Sequence, residues 1–133
     1  MKTIIIGKES LLTKYLHNYN KKSIIFSARN HSEILNIAKF VNNQKSVNLI
    51  LNNFYPSSYI NKITSKDYEK FYNQSIIFNA KLFSKLVGNN LKKIVYSSSS
   101  SVYNSIQKDY QYTDSNNRNL YSSTKIAAEN LVY

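Results

Sequence analysis

Short β-branched runs alternate along the chain with longer stretches whose apolar residues recur every three or four positions. Thr3–Ile6 is the first run and stops at Gly7; Leu11, Leu12, Tyr15, Leu16 and Tyr19 follow at helical spacing. Ser23–Phe26 repeats the strand signature until the polar Ser27-Ala28-Arg29-Asn30 breaks it. Ile34, Ile37, Ala38 and Val41 then predict a second helix, and Val47–Leu51 a third strand closed by a turn-like segment around Pro56, the one proline. A long helix is expected from about Lys66 to Val87, with Phe71, Ile76, Phe78, Leu82, Phe83 and Leu86 on its apolar side. Gly88–Asn90 supplies its stop, because Gly and Asn tolerate a left-handed backbone. Ile94–Tyr96 is the fourth strand and runs into five serines, Ser97–Ser101. A polar loop covers 104–118, and a last helix runs from about Asn119 to Tyr133.

Strands that are nearly continuous apolar runs, each separated from the next by a helix, predict a parallel sheet covered on both faces. The expected fold is α/β: a Rossmann-like three-layer arrangement with about four or five parallel strands, one domain over residues 1–133. Ligands in such a sheet bind at the carboxyl ends of the strands, near the topological switch point. That rule brings Gly7, Ser27, Asn52, Asn53 and the serine run together, although their sequence positions are far apart.

Composition changes this picture little. A chain of 133 residues with 42% hydrophobic content fills one modest core. No apolar run approaches the roughly 20 residues of a membrane span, and the first residues are too short for a signal-peptide core. These features make the cytoplasm the default location. Without cysteine there are neither disulfides nor thiolate metal sites, and with only His17 and His31 no metal site is expected. The net charge of +11 invites a nucleic-acid reading, strengthened by twelve tyrosines. The lysines, however, are scattered, and Arg29 and Arg118 are the only arginines. Spread in this way, the charge reads as a solvated surface.

Candidate chemistry sits at two places. At the first, a strand ends on Gly7 and a helix begins almost at once, the arrangement that presents backbone N–H groups to a dinucleotide pyrophosphate. Ser10 and Thr13 stand where further glycines would let that backbone come closer, and Lys8 could offset phosphate charge. At the second, Tyr121 and Lys125 lie four apart, on one face of the last helix. An ammonium beside a phenol favours the phenolate, which is what a tyrosine needs to exchange a proton with a sugar or alcohol oxygen. Spacing alone decides nothing here, since roughly one such pair is expected by chance in a chain this rich in Tyr and Lys.

Context decides it. A strand leading into Ser-Ser-Ser-Ser-Ser-Val-Tyr, then a loop, then Asn-Leu-Tyr-Ser-Ser-Thr-Lys-Ile-Ala-Ala-Glu, resembles the extended short-chain dehydrogenase/reductases, the nucleotide-sugar epimerases, dehydratases and reductases. The resemblance is strong over about Ile94–Glu129 and elsewhere extends only to the order of elements. It implies Ser99, Tyr121 and Lys125 as catalytic residues: Tyr121 the acid/base, Lys125 the group that holds the nicotinamide ribose, Ser99 the hydroxyl that orients the substrate oxygen. It implies a cofactor, NAD or NADP, bound by Gly7, Ser10, Thr13, Arg29, Asn52 and Lys125, and a nucleotide sugar as substrate. Several positions depart from the family pattern. Ser10 and Thr13 replace glycines, Asn52-Asn53 replaces a small pair after the third strand, and Ser75 stands where an asparagine opens the long helix. Ser27 replaces the acid that clamps the ribose; with Arg29 two residues on, that loss favours NADP over NAD. The family places substrate recognition beyond Tyr133, so the chain is read either as part of a longer enzyme or as a shortened, non-catalytic binding or interaction module. A half-sheet with an unpaired edge further predicts a homo-oligomer that uses the last helix.

Overall fold

The apolar runs lie side by side as one parallel sheet. The computed structural model describes residues 1–52, 65–99, 102 and 120–132; the turn around Pro56, Asn53, Ser100 and the polar loop 104–118 lie outside them. The strands are β1 (Lys2–Ile6), β2 (Ile24–Phe26), β3 (Val47–Leu51) and β4 (Leu91–Tyr96), in the order β2-β1-β3-β4. The chain steps from β1 to β2 on one side and then to β3 on the other. The switch point therefore falls between β1 and β3, which pair in unbroken register from Lys2 against Val47 to Ile6 against Leu51. Helices α1 (Leu11–Tyr19), α2 (Ile34–Asn42), α3 (Ser65–Tyr72), α4 (Phe78–Phe83) and α5 (Leu120–Val132) complete the described residues.

The alternation of side chains along a strand divides the core. Ile4, Ile6, Val47, Leu49 and Leu51 are fully buried against Ile34, Ile37, Ala38 and Val41 of α2 and against Phe78 and Leu82 of α4. Ile94, Tyr96 and Val132 pack on the margin of the same cluster, so α5 closes this layer beside β4. On the opposite face α1 behaves differently from the expectation. Its only fully buried side chain is Thr13, while Leu11, Leu12, Tyr15 and Tyr19 are exposed. The cause is the helix's rotation. Thr13 is held beneath Asn52, and His17 Nδ1 lies 2.9 Å from Ser23 Oγ, so the face carrying both meets the sheet. Leu11 and Tyr15 then fall roughly 160° round the helix from Thr13.

The long helix expected to Val87 is shorter and interrupted. A π-helical turn, Asn73–Ile77, joins α3 to α4, and the polar Ser75 within it is fully buried. The helix ends at Phe83 because α2 takes over the backbone groups that follow. Asn42 Nδ2 donates to the Lys85 carbonyl at 2.9 Å, and the Val87 N–H donates back to Asn42 Oδ1 at 2.9 Å. Gly88 is therefore not a left-handed stop: Gly88–Asn90 form a 3₁₀ turn, and Gly7 is the only glycine with positive φ. β4 consequently starts at Leu91, earlier than expected, with Lys92 and Lys93 exposed. Among the described residues no helix is long and apolar enough to cross a membrane.

The packing makes a direct prediction. Phe78 is fully buried where α4 meets the sheet. Phe78→Ala is expected to lower stability by about 3–5 kcal/mol, measured as the loss in unfolding free energy on urea titration.

Candidate active site

At the switch point the chain leaves β1 through Gly7, whose φ of 121° only glycine adopts without strain. The turn is stitched to the neighbouring strand: the Gly7 and Lys8 N–H groups both donate to the Phe26 carbonyl, at 2.9 and 3.1 Å. Across the crevice the Asn52 N–H continues the sheet by donating to the Ile6 carbonyl at 2.8 Å. The Asn52 side chain then reaches under the turn and donates to Ser10 Oγ (2.8 Å) and Thr13 Oγ1 (2.9 Å). Ser10, Thr13 and Asn52 thus form one polar knot in place of small residues. Thr13 occupies the helix–sheet contact and is fully buried, and Ser10 makes no side-chain cap to α1. The first N–H groups of a helix have no intrahelical partner, so the end of α1 still presents donors to an anion.

At the end of β2 the Ser27 hydroxyl donates to Glu9 Oε1 at 2.7 Å, and Arg29 Nε lies 3.9 Å from Glu9 Oε2. Beside this pair is a cavity of about 350 Å³ lined by Ala28, Arg29, His31, Lys70, Asn73 and Gln74. Arg29 is thus placed one strand away from the knot that holds Ser10, Thr13 and Asn52.

The second group stands where β4 ends. Ser97 continues the pairing through its N–H, which donates to the Leu51 carbonyl at 2.9 Å. The Val102 N–H donates to the Ser99 carbonyl at 3.2 Å, and Val102 is fully buried. From α5, Lys125 reaches this point. Its ammonium donates to the Ser97 carbonyl, 5.0 Å from the centroid of the Tyr96 ring and 5.8 Å from that of Tyr121. The rings offer the cation their negative faces. Tyr121 and Lys125 are therefore together on one helix face, and Ser99 lies two residues past the serine whose carbonyl Lys125 holds.

Lys125 is only 3% exposed, and burial pushes its pKa down from the usual 10.5 to about 8, with the nearby Glu129 carboxylate opposing. Tyr96 moves the other way: burial, and then the charge of Glu129, raise its pKa above the ordinary phenol range. Glu129 Oε1 and the Tyr96 hydroxyl are buried without a hydrogen-bond partner among the described residues. These two residues, and Glu9, are the members of the site to which the sequence reading gave no role. Glu129 had a signal, since Tyr121, Lys125 and Glu129 follow each other at intervals of four on one helix face. Among the described residues no group of three His, Asp or Glu side chains is placed to hold a metal ion.

Two outcomes follow from this geometry. Asn52→Ala leaves the buried Thr13 hydroxyl without its partner, which is expected to cost about 1–3 kcal/mol of stability in urea titration. The pH dependence comes from Lys125. Its folded pKa lies below its unfolded one, so the unfolded chain binds more protons between pH 8 and 10.5, and stability should rise with pH there. The rise is expected to reach roughly 2 kcal/mol between pH 8 and 10. Above pH 10 Tyr96, whose shift is upward, reverses the slope. Urea midpoints across this range should show the rise in the natural chain and none in Lys125→Met.

The comparisons with known proteins bear on the whole arrangement. No curated protein matches the chain. Among solved structures, a short-chain dehydrogenase/reductase superfamily protein from Agrobacterium tumefaciens with bound NAD superposes with a TM-score of 0.73 at 12% identity, over 99% of this chain and 44% of its own. MoeE5 in complex with UDP-glucose and NAD gives 0.72 at 16% identity, over 99% and 48%. UDP-glucuronic acid 4-epimerase from Bacillus cereus in complex with NAD gives 0.70 at 16%, over 98% and 51%. At these identities the likeness is one of fold, α/β and Rossmann-like, and the chain spans about half the length of those proteins. The sequence model of the NAD dependent epimerase/dehydratase family matches residues 14–133, beginning just after the Gly7–Thr13 turn. The chain belongs to the NAD dependent epimerase/dehydratase family.

Proposed function

We propose that the chain is the dinucleotide-binding and proton-transferring part of an epimerase, dehydratase or reductase that acts on a nucleotide sugar. The observation that carries this reading is the buried Lys125 ammonium beside the Tyr121 ring at the carboxyl end of β4. The residues present fit a nicotinamide dinucleotide. The positive-φ Gly7 turn feeds an α1 N-terminus without a side-chain cap, and a cavity stands at the end of the neighbouring strand. Such a cofactor, when bound, supplies a hydride acceptor and donor.

The chain's own residues supply the rest. The Tyr121 hydroxyl exchanges a proton with a sugar hydroxyl or carbonyl oxygen. Lys125 holds the nicotinamide ribose beside that tyrosine, and the Ser99 hydroxyl orients the same sugar oxygen. Ser10, Thr13 and Asn52 act on the cofactor mainly through the shape of the turn, since their polar atoms are turned on one another. The whole enzyme's substrate, its cytoplasmic location and its self-association belong to this proposal. For self-association, α5 keeps Leu131 exposed after burying Ile126 and Ala128.

Calorimetric titration with nicotinamide dinucleotides, followed by addition of UDP-sugars while the absorbance of reduced nicotinamide is recorded, tests the reading. Dinucleotide binding with sugar-dependent reduction is expected. Tyr121→Phe should keep the binding and lower the rate about 10²–10⁴-fold. Binding that vanishes even at high dinucleotide concentration would leave the non-catalytic module as the reading.

A further inference from the structure

The end of β2 is where a dinucleotide-binding sheet places the carboxylate that holds the adenosine ribose 2′-hydroxyl. This chain has Ser27 there, which carries no charge. A charge arrives from elsewhere. Because the Gly7 and Lys8 N–H groups share the Phe26 carbonyl, the turn after β1 is folded onto the end of β2. The next residue, Glu9, is thereby delivered over Ser27, and the Ser27 hydroxyl donates to its carboxylate at 2.7 Å. The hydroxyl is itself oriented by the Arg29 N–H, which donates to Ser27 Oγ at 3.3 Å. We infer that Glu9 is the ribose-selecting carboxylate of this chain: from the β1–α1 turn it supplies what β2 lacks, and so favours a dinucleotide with a free 2′-hydroxyl over one with a 2′-phosphate. This inference rests on the dinucleotide function proposed above.

The chemistry of the two ribose forms separates them. A 2′-hydroxyl is a donor, and a carboxylate oxygen that already accepts from Ser27 keeps a lone pair for it. A 2′-phosphate carries up to two negative charges and offers a carboxylate only acceptors and repulsion. Arg29, the residue that favoured the phosphate in the sequence, faces Glu9 at 3.9 Å. Across the cavity Lys70 lies 3.7 Å from Asp67. Both lysine and arginine lining that cavity therefore already stand beside a carboxylate, and a 2′-phosphate meets balanced charge rather than an open cationic pocket.

Calorimetric titration of the chain with NAD, NADP, ADP-ribose and ADP-ribose 2′-phosphate tests the inference through binding alone. The natural chain is expected to bind the unphosphorylated member of each pair at least about tenfold more tightly. Glu9→Gln should bring the members within about threefold, partly by strengthening the phosphorylated ones. Arg29→Ala should leave the preference in the same direction. A natural chain that binds the phosphorylated forms equally or better, or a Glu9→Gln variant with an unchanged ratio, overturns the role of Glu9 while the dinucleotide reading stands. If no probe binds the natural chain, the dinucleotide reading itself fails and the selection by Glu9 with it.

Discussion

The parallel pairing of β1 with β3 is the constraint on which the site depends. It ends both strands at one level, so that Gly7 and Asn52 face each other across the switch point. Neither residue would meet the other by sequence proximity. The pairing of β3 with β4 extends the same edge to Ser97, and α5 can then reach the strand end with Lys125. Backbone hydrogen bonds thus set the positions, and side chains only fill them. The buried Val47, Leu49 and Leu51 on one face of β3 give that strand a single register, since a slip of one residue would turn Asn48 and Ile50 into the core.

Charge acts in this molecule by location rather than amount. Among the described residues nearly every Lys and Arg side chain is exposed, where screening leaves little energy per residue. Lys125 is one cation among many, yet its burial between two phenol rings beside Glu129 makes its protonation sensitive to the fold.

The sheet was legible in the sequence because each strand is a short apolar run between helical stretches; the expected cover on both faces is fullest at Ile4–Ile6 of β1, while β4 keeps Lys92, Lys93 and Val95 exposed. Val47–Leu51 matches its expected bounds fully, whereas β4 begins three residues early, since Asn90 is tied back to Val41 and Gln44 carbonyls. Helical spacing was a good guide to α2, whose Ile34, Ile37, Ala38 and Val41 are all buried. It misled for α1, because side chains outside the apolar stripe, Thr13 and His17, set the rotation of the helix. It also missed the π-helical turn, as periodicity has no sign for a local change of winding. In the candidate site, Tyr121 with Lys125 was legible as a four-residue spacing, and the serine run as a strand end. Glu9 was not, because its partner Ser27 is eighteen residues away and meets it only through two backbone bonds to Phe26.

The knot of Ser10, Thr13 and Asn52 bears on how such a turn can change over evolutionary time. Each of its three polar groups is satisfied by another member, so a glycine arriving at Ser10 or Thr13 alone would strip Asn52 of an acceptor in a tight space. An alanine at position 52 would strand a hydroxyl in the same way. A single change in this turn therefore costs stability that a concerted change need not. Three residues scattered along the chain are, in the folded molecule, one hydrogen-bonded unit, so that a change at any of them is felt by the other two.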